Sequence, residues 1–181
     1  MTDGYYSTTG DIGVGNADGP DNQTLFDCTA LEDDLSNTLA DVAMYYYEND
    51  LSPQSNDTGL SDHVPTFGFD VGTHQHMATF GVAFGVGGNI NPVDYLNRIN
   101  QIYNDDGFTV PWPQQINVRQ PETIDDLWHA TLNGRGQFYS ADNPQELTKS
   151  LLELTETISE QLSGSASSVT INGNQIGRAH V

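Results

Sequence analysis

The chain has 181 residues and a formal net charge of −20, because 25 acidic residues stand against five lysines and arginines. A surface of this charge repels phosphate backbones and anionic membranes, which argues against nucleic-acid binding. The same surface attracts cations, so we expect a divalent cation to take part in the function. Only 36% of the residues are hydrophobic, so one modest core and long loops are expected.

The single cysteine and the start of the chain further limit the class of protein. Cys28 is the only cysteine, so its thiol is either buried and free or paired with a partner outside this chain. No apolar run is long enough to span a bilayer, which predicts no direct membrane insertion. Met1 runs directly into Thr2 and Asp3 without a signal peptide. We therefore expect the chain to be a piece of a longer protein.

Residues 8–35 are rich in glycine, aspartate and asparagine and predict a long surface loop. Within it, Asn16, Asp18 and Asp21 bring side-chain oxygens together around Gly19. Hard oxygen ligands of this kind suit calcium or magnesium, although the carboxylate spacing and closing glutamate of an EF-hand are absent. A cation site and a set of hydrogen-bonded turns both remain open here.

The first predicted helix follows, with Ser36 as its N-cap and Asn49 near its end. The spacing of its apolar residues predicts a buried stripe of Leu39, Val42, Ala43 and Tyr46. The three tyrosines at 45–47 cannot all face the core, so at least one is expected at the helix edge. They act either in packing or as a binding platform.

Residues 79–86 form an unbroken run of apolar, small and β-compatible residues. A strand that is apolar on both faces indicates a central parallel strand covered by helices. Gly85 and Gly87 follow it, at the strand end where α/β proteins bind ligands. A dinucleotide-binding loop is one interpretation, but Ile90 replaces the third glycine and the negative charge opposes phosphate.

The second half of the chain predicts more helices and one more strand. Asn91 and Pro92 begin a short helix whose apolar positions include Val93 and Leu96. Residues 104–121 predict a loop in which Trp112, between two prolines, either anchors its own loop or contacts a partner.

Thr123 is the predicted cap of a helix that Asn133 and Gly134 end, in the way that a residue in the left-handed conformation ends many helices. A short strand at 136–141 follows, and Asp142 or Asn143 caps the last helix. Its stripe predicts packing lengthwise on a sheet: Leu147, Leu151, Leu154 and Ile158. The predicted fold is therefore α/β, with a mostly parallel sheet flanked by helices and long polar loop insertions.

Two histidines are candidate metal ligands. His74 and His76 would share one face of a strand, close enough for zinc. No third ligand follows from spacing, although His63 and His129 are available, and neutral hydrogen-bonded histidines are the alternative. No nucleophile elbow occurs in the sequence, and nothing in it supports an enzyme.

Several segments resemble known proteins. Residues 124–158 resemble the end of a von Willebrand factor type A domain, and MTDG at the start resembles the strand end that supplies part of its metal-ion-dependent adhesion site. SNTLADVAMYYYENDL, HQHMATFGVAFGV and DDLWHATLNGRGQFYSADNPQEL resemble the PilY family of type IV pilus proteins. The resemblance implies that residues 1–162 are the second half of a Rossmann-like A-type domain and that 163–181 are a linker and the start of a following region.

The resemblance also implies a function. Asp3, with Thr2 beside it, matches the adhesion-site aspartate, which holds magnesium, manganese or calcium. It implies a non-enzymatic part of a secreted protein in the cell envelope or at the pilus tip, acting in pilus biogenesis and cation-assisted adhesion. The implied partners are the rest of the full-length protein, pilus components, and host or abiotic surfaces. A structural scaffold without a working metal site is the alternative, and a nucleotide-binding enzyme is a weaker one.

Overall fold

The computed structural model describes residues 5–6, 12–20, 22–25, 28–52, 64, 66, 68–104 and 106–166. Within these ranges the helices are α1 (Leu39–Glu48), α2 (Ile99–Tyr103), α3 (Glu122–Asn133) and α4 (Pro144–Ala166), and the strands are β1 (Thr79–Phe84) and β2 (Arg135–Ala141). Short 3-10 helices lie at Thr29–Leu31 and Pro92–Arg98. In this part of the chain no helix combines the length and apolarity needed to cross a membrane.

Strands β1 and β2 pair in parallel, with Val82 opposite Tyr139 and Ala83 opposite Ser140. The connection between them carries α3, which packs against both strands. A Cβ at Gly81 would lie only 2.6 Å from Thr131 Cγ2, so this glycine lets the helix approach the sheet closely. The α/β prediction is confirmed, and the arrangement is compatible with part of a von Willebrand A-type fold.

The core lies between α1, α3 and the loop that precedes α1. Met44 and Tyr47 of α1 pack with Trp128 and Leu132 of α3. Residues 28–31 are also in this core, where Cys28 is 0% exposed and its thiol donates to the Ile102 carbonyl at 2.6 Å. The prediction that residues 8–35 form a surface loop is therefore wrong at its second half, because the core needs apolar side chains that the short helices cannot supply.

Helix α1 begins later and faces differently from the prediction. Its N-cap is Thr38, not Ser36, and Thr38 forms a reciprocal capping box with Asp41. Leu39 and Tyr46 of the predicted stripe are 39% and 40% exposed. The buried residues of the helix are Ala40, Asp41, Ala43, Met44 and Tyr47. The contact with α3 fixes this face, which the apolar spacing of α1 alone does not define.

The segment after β1 also departs from the predicted stripe. Asn91 caps it as expected, since its side chain accepts from the Val93 amide. The first seven residues are a 3-10 helix, however, and Val93 and Leu96 are 66% and 65% exposed. Residues three apart lie above one another in a 3-10 helix, so both side chains fall on the same outward face.

Helix α3 ends where the sequence predicts, but a different residue adopts the left-handed conformation there. Thr123 lies inside the helix, where its hydroxyl donates to the Gln120 carbonyl at 2.8 Å, and so is not the cap. The left-handed residue is Arg135, with φ of 55°, while Gly134 has φ of −85°. The Arg135 guanidinium lies over the Tyr47 and Tyr103 rings, contacts that favour this conformation.

Helix α4 starts as predicted, with the Asn143 side chain accepting from the Gln145 and Glu146 amides. Its apolar stripe is not fully covered, since Leu151 and Ile158 are 39% and 38% exposed. The helix has 23 residues and a length of about 34 Å, whereas β2 has seven and spans about 23 Å. Lengthwise packing on the described sheet is therefore impossible over the whole helix. The helix continues into 163–166 of the predicted linker.

Candidate metal centre

Asp18, Asp33 and His129 come together where the loop before α1 folds against α3. His129 Nε2 lies 3.4 Å from Asp18 Oδ2, and His129 Nδ1 lies 3.5 Å from Asp33 Oδ2. One possible ligand atom from each residue lies within 4.8 Å of the others. Asp18 is 0% and His129 is 1% exposed, and the Asp33 side chain is 7% exposed. We call these three residues the buried triad.

Neighbouring groups hold the triad in place. The Leu31 carbonyl accepts a hydrogen bond from His129 Nε2 at 2.8 Å, and the Trp112 ring stacks on the imidazole with centroids 3.8 Å apart. Asn133, one turn further along α3, donates from Nδ2 to Asp18 Oδ2 at 2.6 Å. The Nε2 end and one face of the imidazole, and the Asp18 carboxylate, are therefore positioned by groups outside the triad.

The electrostatics of the triad follow from its burial. Burial raises the pKa of Asp18 to about 8, against the opposing effects of His129 and Asn133. Burial alone would lower the pKa of His129, but the nearby carboxylates of Asp33 and Asp18 outweigh it and raise that pKa. Both pKa values are raised, so Asp18 and His129 hold their protons to a higher pH than the free side chains do.

Unsatisfied acceptors surround the same place. Oδ1 of Asp18, Oδ1 of Asn133 and Oδ1 of Asn16 are buried without a hydrogen-bond donor. Asn133 contacts Asp18 directly, and Asn16 Nδ2 donates to the Asp33 carbonyl at 2.9 Å. Buried acceptors without donors are costly in a folded protein, and a cation would satisfy them.

The structure describes only some of the residues that the sequence predicts as metal ligands. Thr2, Asp3 and Asp21 lie outside the described residues, so their role as ligands stays a prediction. Asn16 and Asp18 are described, and Asp18 turns inward to two groups that spacing did not suggest, Asp33 and His129. Asp18 and Asn133 are 115 positions apart, and no local pattern connects such residues.

His74 and His76 are hydrogen-bonded to protein groups. His76 Nε2 lies 2.9 Å from Asp70 Oδ2, and His74 Nε2 donates to the Tyr47 carbonyl at 2.8 Å. Burial would raise the pKa of Asp70, but hydrogen bonds from His76, Gly72 and Tyr47 lower it overall. Both histidines precede β1, so the strand that was to present them on one face does not include them.

The glycine loop after β1 is occupied by a carboxylate. Asp125 of α3 accepts hydrogen bonds from the backbone amides of Asn89 and Ile90 at 3.1 and 2.9 Å. These are the donors that a dinucleotide-binding loop would offer to phosphate. Asp125 therefore ties the loop to α3, and its negative charge occupies the position that a phosphate would need.

We expect Gly88→Ala to lower the melting temperature by several degrees, because a Cβ at this position would overlap Asp125 Oδ1 and displace the carboxylate. Gly87→Ala is the matched control, since a Cβ there has nothing within 4 Å. Thermal unfolding by circular dichroism measures both variants. Equal melting temperatures for the two would show that the Asp125 anchor contributes little.

The fold and the triad together define a class: an α/β protein with a parallel sheet compatible with part of a von Willebrand A-type domain, in which two loop aspartates contact a buried histidine of α3. The chain is similar to type IV pilus biogenesis factor PilY1 of Pseudomonas aeruginosa. This similarity confirms the resemblance to the PilY family that the sequence motifs indicated.

The identity is 30% over 178 residues with the protein of strain PAO1, and 29% over 178 residues with that of strain PAK. In both comparisons 88% of this chain is covered, and the chain spans only 15% of the length of the relative. The protein of strain UCBPP-PA14 is 28% identical over 197 residues. No family model matches the chain, and no solved structure matches it.

Proposed function

We propose that this chain is a non-catalytic α/β module that acts in type IV pilus biogenesis in the cell envelope or at the pilus. The observation that carries the proposal is the similarity to PilY1 over 88% of the chain. The described structure is consistent with it, because the buried side-chain networks connect elements of the fold. Asp125 joins the glycine loop to α3, and the triad joins the N-terminal loop to the same helix.

Adhesion is the finer part of the proposal. Asp3, with Thr2, would hold a divalent cation that bridges the module to a pilus component or a surface, as the motif MTDG suggests. The high negative charge supports cation binding in general. A scaffold role without adhesion is the second candidate, and it is favoured by the burial of the triad, since a ligand surface needs groups that a partner can reach.

A chimaera tests the proposal. The segment of P. aeruginosa PAO1 PilY1 that aligns with this chain over 178 residues is replaced by this chain, and surface pili and cell attachment are measured beside a segment deletion. We expect the chimaera to restore surface pili that the deletion loses. A chimaera that is produced at the normal level but assembles no more pili than the deletion would overturn the proposal.

Asp3→Ala in the same chimaera separates adhesion from scaffolding. If Asp3 serves adhesion, attachment in the presence of magnesium or calcium falls while the amount of surface pili stays the same. If the module is a scaffold, the variant changes neither quantity. Asp94→Ala, at an exposed carboxylate on the 3-10 helix, is the control for loss of one surface charge.

A further inference from the structure

We propose that the buried triad of Asp18, Asp33 and His129 binds one divalent transition-metal ion, zinc in the first place. The ion would hold the loop before α1 against α3 and act as a structural element of the domain. The proposal does not depend on the pilus function, and it differs from the adhesion site proposed at Asp3 in its residues and its ion.

The hydrogen bond of His129 decides which nitrogen is the ligand. A carbonyl oxygen only accepts, so Nε2 must carry the proton that it donates to Leu31. In the neutral imidazole Nδ1 then presents a lone pair toward the carboxylate of Asp33. Two acceptors facing each other in a buried place need a positive charge between them. Histidine ligands of metals commonly donate their other nitrogen to a backbone carbonyl in this way.

The separation between Nδ1 and Asp33 fits a shared ion better than a shared proton. At 3.5 Å it exceeds the range of about 2.7–3.2 Å of a good hydrogen bond. Two ligands at about 2.0–2.2 Å from a tetrahedral zinc lie about 3.4 Å apart. One carboxylate oxygen of Asp18 lies within 4.8 Å of a ring nitrogen of His129 and of an Asp33 oxygen, and Asp18 Oδ2 is 3.4 Å from Nε2. Coordination at Nδ1 would require the Asp18 carboxylate to move from the Nε2 side of the ring toward Asp33.

Buried oxygen atoms without hydrogen-bond donors are a second observation that points to a cation. Asp18 is fully buried, Asn133 supports its Oδ2, and its Oδ1 meets no donor. Asn133 is also fully buried, and its Oδ1 meets no donor either. An ion at the triad supplies the positive charge that the Asp18 oxygen lacks. The cluster is therefore more than a group of acidic residues, because the fold encloses an acceptor without providing its partner.

The donor set selects the class of ion. Imidazole nitrogen suits zinc and related transition metals, whereas calcium takes six to eight oxygens and magnesium keeps several waters. One imidazole and two carboxylates in an enclosed place leave little room for such water shells. Because the triad is at most 7% exposed, the ion is not available to a surface ligand, and its role is to stabilise the fold.

The test uses the 181-residue chain after treatment with a chelator. Isothermal titration with zinc chloride, with manganese, calcium and magnesium chlorides in parallel, gives the stoichiometry and affinity. We expect one equivalent of zinc to bind and to raise the melting temperature, and magnesium and calcium to do so far more weakly. Asp33→Asn should weaken zinc binding by more than about tenfold. Asp94→Asn, an exposed carboxylate, should leave it unchanged.

Additional variants keep the result interpretable. His129→Gln removes the imidazole ligand, and Asp3→Ala removes the proposed adhesion residue, which should leave zinc binding intact. X-ray absorption at the zinc edge on the wild type should show nitrogen and oxygen ligands with one imidazole. Binding that survives both Asp33→Asn and His129→Gln, or the absence of one-equivalent zinc binding by the folded wild type, would overturn the proposal.

Discussion

Asp126→Ala should lower the free energy of unfolding by about 3 kcal/mol, one of the largest effects expected for a single carboxylate in this chain. Asp126 is 2% exposed and accepts hydrogen bonds from the Leu39 and Ala40 amides, both at 3.1 Å, and from the Tyr6 hydroxyl at 2.9 Å. Removing it leaves the first two amides of α1 without their acceptor, and the Ala40 amide is buried. Urea unfolding followed by circular dichroism measures the loss.

Asp126→Asn separates the charge from the hydrogen bonds. Burial raises the pKa of Asp126, against hydrogen bonds that lower it, so the folded state holds this proton more tightly than the unfolded state. The stability that the acid contributes is therefore present near pH 4 and falls as the pH rises through its folded pKa. Asparagine does not titrate. The free energy of unfolding that Asp126→Asn loses relative to wild type should therefore be smaller at pH 7 than at pH 4.

Asp106→Ala is the control for Asp126, because Asp106 is an exposed aspartate of the loop after α2. Surface substitutions of this kind change stability by less than about 0.5 kcal/mol. A loss of similar size in Asp106→Ala and Asp126→Ala would mean that general charge effects, and not the link between α1 and α3, account for the result.

Trp112→Ala should cost about 4 kcal/mol, because it removes a large buried ring. Trp112 is 6% exposed, its indole nitrogen donates to the Ala30 carbonyl at 2.8 Å, and its ring stacks on His129 and contacts Trp128. The side chain therefore anchors its own loop in the core, as one of the two sequence interpretations held. Urea unfolding by far-ultraviolet circular dichroism is the measurement, since the variant loses one of the two fluorescent tryptophans.

Trp112→Phe is the matched variant. It keeps an aromatic ring against His129 and removes the donor to Ala30, so we expect a loss between those of wild type and Trp112→Ala. If Trp112 served mainly as a contact for another protein, the alanine variant would unfold within about 0.5 kcal/mol of wild type. The two variants thus distinguish an anchor from a partner contact by stability alone.

Asp126 and Trp112 connect different segments of the chain to helix α3. Asp126 connects α3 to the start of α1, and Trp112 covers the imidazole of His129. Both side chains belong to a network that fastens irregular segments to one helix. This explains how a chain with only 36% hydrophobic residues builds a defined core, since buried hydrogen bonds and aromatic stacking add to a small apolar volume.

The local sequence predicts the structure correctly where the conformation of a segment depends on its own residues. The run at β1 indicated a buried parallel strand, and Asn143 and Pro144 marked the start of α4. Asn91 likewise capped the segment after β1. Such signals depend on side chains that bond to their own neighbouring backbone, so they are readable within a few residues.

Local signals of this kind do not predict which face of α1 is buried or that part of the α4 stripe is exposed. Which side of α1 is covered depends on α3, and how far α4 is covered depends on the length of the sheet beneath it. Apolar periodicity shows that a helix has a face to bury but not which neighbour buries it. Tertiary contacts also place Arg135, and not the preceding glycine, in the left-handed conformation.

The sequence by itself determined the α/β class, the order of most elements and the resemblance to the PilY family, because these depend on local periodicity and on ordered motifs. Only the tertiary structure brought Asp18 and Asp33 to His129, since the loop and α3 are far apart along the chain and share no spacing rule. A carboxylate in a loop is one of many in a chain with 25 acidic residues. Asp18 and Asp33 are set apart because both meet one buried imidazole, and that convergence is a property of the folded chain.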